Sequence, residues 1–120
     1  MRALLAGLAL TALTASSSFA QAPAYGLIGR MTAKPGQRDA LVQALVDGSR
    51  SMPGCISYIV AKDAADPDAI WVSEAWRSQA DHDASLALPQ VKAAITRGRP
   101  LIATFGERHE TIPATPASPG

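Results

Sequence analysis

Cys55–Lys62 reads CISYIVAK and Ile70–Arg77 reads IWVSEAWR, two runs of β-branched and aromatic residues separated by DAADPDA. Residues of that kind fit the pleated, half-buried surface of a strand. The Asp, Ala and Pro between them, Asp63 to Ala69, are turn formers throughout. A short turn between two strands makes an antiparallel hairpin. Side chains alternate along a strand, so Ile70, Val72, Glu74 and Trp76 share one face of the second run and Trp71, Ser73 and Ala75 the other.

Working outward, Met52-Pro53-Gly54 closes a helix running from Gln37 to Arg50, with Leu41, Leu45 and Gly48 on one stripe and Val42 and Val46 beside it. Lys34-Pro35-Gly36 separates that helix from a first strand at Tyr25–Ala33, YGLIGRMTA. Downstream, Ser78 to about Gly98 has a helical pattern with Ser78 as N-cap. Pro89 marks a break or a new start in it. Leu86, Val91, Ala94 and Ile95 supply its apolar side. Pro100 ends or kinks it, and Phe105–Ile112, FGERHETI, reads as a fourth strand. The order β-α-β-β-α-β predicts an α+β, ferredoxin-like subunit with both helices on one face of the sheet. The uncovered face predicts a homodimer packed sheet to sheet.

The 120 residues suffice for one small domain, with 11 basic and 10 acidic side chains. That balance removes the argument for nucleic acid or an anionic membrane surface as partner. With 48% hydrophobic and 18% charged residues the chain is not of the disordered class. A single cysteine forms no internal disulfide, and one cysteine with two histidines is a poor metal inventory, so no metal site is expected.

Residues 1–20, MRALLAGLALTALTASSSFA, have Arg2, an apolar run from Ala3 to about Leu13, and small residues ending at Ala20. This is the pattern of a secretory signal peptide cut after Ala20, with Ala22 or Ala24 as weaker sites. Its apolar core falls short of the ~20 residues that span a bilayer. The expected product is exported, periplasmic or secreted, with no membrane attachment after cleavage. Its parts are a flexible lead at 21–24, a domain at 25–112, and a Pro-rich disordered tail at 113–120.

The Pro53-Gly54-Cys55 step into a strand, Glu74-x-Trp76, and the Trp76-x-Ser78 entry into a helix, in that order on this frame, resemble the antibiotic biosynthesis monooxygenase (ABM) family. The resemblance covers Tyr25 to about Ile112. It implies a dimeric α/β barrel of ferredoxin-like subunits and oxidation of quinols or polyphenols by molecular oxygen, with no metal or flavin cofactor. The family pattern commonly carries a histidine in a run like D-A-H-L-x-S-P. Here the run is Asp83-Ala84-Ser85-Leu86-Ala87-Leu88-Pro89, so Ser85 stands at the histidine's place and His82 lies three residues earlier. A sister branch degrades haem with an Asn, a Trp and a ligating His. This chain has no asparagine and a serine at the ligand position, which argues against haem.

Triplet oxygen reacts slowly with a neutral quinol, so a site without a cofactor needs a base, a snug apolar cavity and a donor for developing charge. His82 is the candidate base, because histidine titrates near neutral pH. The alternative is a solvated histidine between Asp81 and Asp83. Ser85 shares its helix face and is a candidate to orient the imidazole or donate to a substrate oxygen. Trp76 and Tyr58 are candidate walls of an aromatic pocket, or plain core, with Glu74 as a buried acid. Trp71 is read as a dimer contact. His109 and Glu107 make either a second acid–base pair or a surface ion pair, and Cys55 is read as a small buried hydrophobe. The expected partners are a small aromatic substrate or apolar ligand and a second copy of the chain. A non-catalytic ligand-binding dimer is the competing function, and an isomerase or decarboxylase in the same cavity is the third.

Overall fold

The computed structural model describes residues 22–114, together with Gly7 and Ala9. The expected signal peptide and its cleavage point, and residues 115–120 of the expected tail, lie outside the described residues. The elements are β1 (Tyr25–Ala33), α1 (Arg38–Gly48), β2 (Cys55–Lys62), β3 (Ala69–Trp76), α2 (Gln79–Ser85), α3 (Pro89–Gly98), a 3-10 turn (Arg99–Leu101) and β4 (Ile102–Thr111). The sheet is antiparallel with order β2-β3-β1-β4. This is the α+β ferredoxin-like fold, with three α-helices among the described residues rather than two.

The extra helix comes from Pro89. α2 is capped by Ser78, whose Oγ accepts the Asp81 amide at 3.1 Å. It closes at Ser85, and Pro89 then opens α3 in the first turn, where a missing N–H costs nothing. Leu86 and Ile95, expected on the packed side, are 49% and 41% exposed. The last strand begins at Ile102, three residues earlier than expected, because Pro100 sits in a single 3-10 turn and the chain leaves it already extended. Ile102 then pairs with Ala33, while Lys34 N–H donates to the Leu101 carbonyl at 2.8 Å.

The β2–β3 turn is fixed by its own polar groups. Asp63 Oδ1 accepts the amides of Ala65 and Asp66, and Arg38 donates to the Asp63 and Asp66 carbonyls. At the other end of the hairpin Gly54 has φ +81 and lies against the Asp81 side chain, where a Cβ would collide. That close approach holds the start of α2 over the entry to β2.

Tyr25, Leu27, Met52 and Trp76 form one buried cluster, with Cys55, Tyr58, Leu88 and Val91 packed on it. Ala33, Leu41, Ile70 and Val72 form a second, and Tyr58 touches both. The buried side of β3 is therefore Ile70, Val72 and Trp76, as the alternation requires, with Glu74 half-buried among them. The opposite face carries Ile28 and Ile59, 40% and 56% exposed. Among the described residues no helix is long and apolar enough to cross a membrane.

Candidate functional site

Between the sheet and the three helices lies a cavity of about 140 Å³. Tyr58, Glu74, Trp76, His82 and Ser85 all line it, with Met52 and Val91 among its apolar walls. Residues from β2, β3 and α2 converge because β2 and β3 pair in a register that sets Tyr58 opposite Glu74, and because α2 begins three residues after Trp76.

His82 is not solvated. Its side chain is 12% exposed, and its ring lies 5.4 Å from the Tyr25 ring and 5.4 Å from Trp76, edge-on to the latter at 84°. Nδ1 lies 3.1 Å from Asp83 Oδ1. In the neutral tautomer with the proton on Nδ1, that carboxylate fixes the ring and leaves the Nε2 lone pair to accept a proton. Ser85, on the same wall, does not hydrogen-bond the imidazole. Its hydroxyl donates to the main-chain carbonyl of His82 at 2.6 Å, inside the helix.

Trp76 is fully buried and donates its indole N–H to Glu74 Oε1 at 3.0 Å. Burial raises the Glu74 carboxyl above its ordinary range, against the opposing pull of that hydrogen bond and of His82 and Arg108. Burial, then the Glu74 charge, pushes the Tyr58 hydroxyl up, so it stays a donor. The same two causes push the half-buried Cys55 thiol up to about 11, which keeps it un-ionised and unreactive. The cavity thus offers a nitrogen base, a carboxyl biased toward its protonated form, a phenol donor and aromatic walls.

Two contributors were invisible in the strand pattern. Tyr25 pairs with Trp76 across β1 and β3, packs against His82 with the rings tilted at 45°, and donates its hydroxyl to Glu110 Oε1 at 2.9 Å. Asp83 is the imidazole's partner, whereas a sequence of two flanking aspartates suggested solvent. His109 and Glu107 form the surface pair, 3.2 Å apart and 64% and 56% exposed, away from this cavity. Trp71 lies on the opposite sheet face and donates to Asp63 Oδ2 at 2.8 Å. Among the described residues no group of three or more His, Cys, Asp or Glu side chains is placed to hold a metal ion.

Residues 24–97 match the family model described as antibiotic biosynthesis monooxygenase. A solved structure from Chloroflexus aurantiacus, described as a candidate antibiotic biosynthesis monooxygenase, is 59% identical with a TM-score of 0.77, covering 80% of this chain and 98% of that one. A Pseudomonas aeruginosa structure, 22% identical with a TM-score of 0.67 and covering 79% of this chain and 98% of that one, shares the fold. An uncharacterized protein of Synechocystis is 31% identical over 82 residues, 66% of this chain; the chain spans 56% of that relative's length. The chain belongs to the antibiotic biosynthesis monooxygenase family.

Proposed function

We propose that the protein is an exported monooxygenase that uses no cofactor and oxidises a quinol or polyphenol-type aromatic with O2, His82 acting as base. The observation that carries this reading is the His82 ring, held between Tyr25 and Trp76 on the wall of an aromatic cavity with a carboxylate on Nδ1. His82 takes a phenolic proton, and the phenolate passes one electron to oxygen. The two radicals join through a C–O bond to give a ring peroxide, which accepts the proton back from His82. Loss of the ring C–H proton and cleavage of O–O release water and leave a new carbonyl. One oxygen atom stays on the ring and the quinol itself supplies the electrons that reduce the other. Tyr58 is the donor for charge on the substrate oxygens, joined by Glu74 when its carboxyl is protonated.

The working unit in this reading is a periplasmic or secreted homodimer joined through the open sheet face, where Ile28 and Ile59 are exposed. The serine at position 85, in place of the family's common histidine, favours a second reading, a non-catalytic dimer that binds a small apolar ligand. An isomerase or decarboxylase would use the same base without oxygen.

Oxygen uptake by the purified protein in chelator-treated buffer, with a panel of hydroquinones and naphthoquinols, decides among them. Uptake above autoxidation is expected, with His82→Gln lowering kcat/KM about 10²–10⁴-fold, the usual worth of a general base. His109→Gln, at a surface pair, leaves it unchanged. No uptake across the panel gives the cavity to ligand binding.

A further inference from the structure

A second concavity of about 310 Å³ lies over β1 and β4, and Tyr58 and Glu74 line both it and the His82 cavity. The cavity alone is small. Pockets for drug-sized molecules run to ~300–1,000 Å³, whereas a cavity of ~150 Å³ in another protein just admits benzene. One ring therefore fills the space beside His82, and a larger ligand can reach the groove past Tyr58 and Glu74, which line both.

The groove has the character of a continuation. Its floor includes Leu27, Met31 and Val72, and Phe105, a large apolar side chain, stands in it 70% exposed. Gly29 lies on the same floor, and a Cβ there would meet nothing nearer than the Glu107 carbonyl at 3.8 Å, so the room exists because a side chain is missing. Arg108 on its edge is engaged with Glu110 at 3.9 Å, and Glu107 stands beside it, so the groove offers no unopposed charge to draw an anion. At the junction, among the described residues, Glu74 uses one oxygen for Trp76, and neither its other oxygen nor the Tyr58 hydroxyl has a protein hydrogen bond. Neither is sealed away from open space.

We propose that the ligand is a phenol carrying an uncharged apolar substituent, its ring in the His82 cavity, its hydroxyl at Tyr58 and Glu74, and its substituent in the Gly29–Phe105 groove. This rests on reading the His82 cavity as a phenol site. The substituent supplies affinity by burying apolar surface, and the ring supplies the chemistry.

The test is anaerobic calorimetric titration with hydroquinone and hexylhydroquinone. The tailed compound is expected to bind the wild-type protein at least tenfold more tightly. Gly29→Leu, which fills the groove in a strand position that tolerates a side chain, removes that advantage and leaves hydroquinone affinity unchanged. Phe105→Asp, at an exposed position, does the same and serves if Gly29→Leu fails to fold. Equal affinities of the two compounds, or a tail advantage that survives both substitutions, overturn the proposal; a groove filled by a second copy of the chain would give the first of these. The titration is independent of the aerobic uptake assay: tighter binding here with no uptake there keeps this inference and removes the oxygenase reading, and uptake there with equal affinities here does the reverse.

Discussion

Trp71 and Trp76 stand on one strand, and each gives its indole N–H to a carboxylate, Trp71 to Asp63 at 2.8 Å and Trp76 to Glu74 at 3.0 Å. The two carboxyls respond in opposite directions. The Asp63 carboxyl is held down to about 2, first by the Asp66 amide, then by the indole and the Ala65 amide. Glu74 rises above its ordinary value because burial outweighs its one indole hydrogen bond. The indole bond is common to both, so it does not decide the outcome. The number of donors and the loss of water do. At the turn the result is a fixed anion that shapes backbone; at the cavity it is an acid poised to carry a proton.

The largest effect that tests the contrast is on packing. Trp76 is 1% exposed and sits at the centre of its cluster, so Trp76→Ala is expected to cost about 3–5 kcal/mol in chemical denaturation. Trp71 is half-buried on the open face, and Trp71→Ala is expected to cost about 1–2 kcal/mol, for one hydrogen bond and part of a ring's burial. Equal costs would mean that the open face is covered in solution, and the Trp71 value should then fall on dilution of the protein.

Local pattern made the hairpin legible. β1 and β2 have the bounds their residue types imply, and β3 is displaced by a single residue, because turn formers bracket β-branched runs on both sides. The helix faces were less so. Leu86 and Ile95 fit an apolar stripe, yet they border a cavity and stay exposed, and no periodicity separates a stripe that fills space from one that lines it. At the site, Trp76, Glu74, Tyr58 and His82 follow from alternation on adjacent strands and the helix after them. Tyr25 does not, since its place beside His82 depends on the non-local β1–β3 register, which brings Tyr25 opposite Trp76. The Ser85 hydroxyl is hard to read from sequence for a local reason. A serine inside a helix has the carbonyl three residues back within reach, and Ser85 donates to it.

The smallest effects are the most diagnostic, since they have opposite signs in pH. Asp63 has a folded value below its ordinary 3.8, so its contribution to stability is present above 3.8 and disappears as pH falls toward about 2. Glu74 has a folded value above its ordinary 4.5, so its contribution is full below 4.5 and is lost as pH rises through the folded value. Denaturation of Asp63→Asn should therefore show a penalty relative to wild type at neutral pH that shrinks in acid. Glu74→Gln should be closest to wild type, or below it, at about pH 4, and should gain on wild type as pH rises through the raised folded value of Glu74. Slopes of the same sign for both variants would mean that Glu74 is hydrated like Asp63. The carboxyl beside His82 would then be an ordinary anion, and the donor to the substrate oxygens would have to be Tyr58 alone.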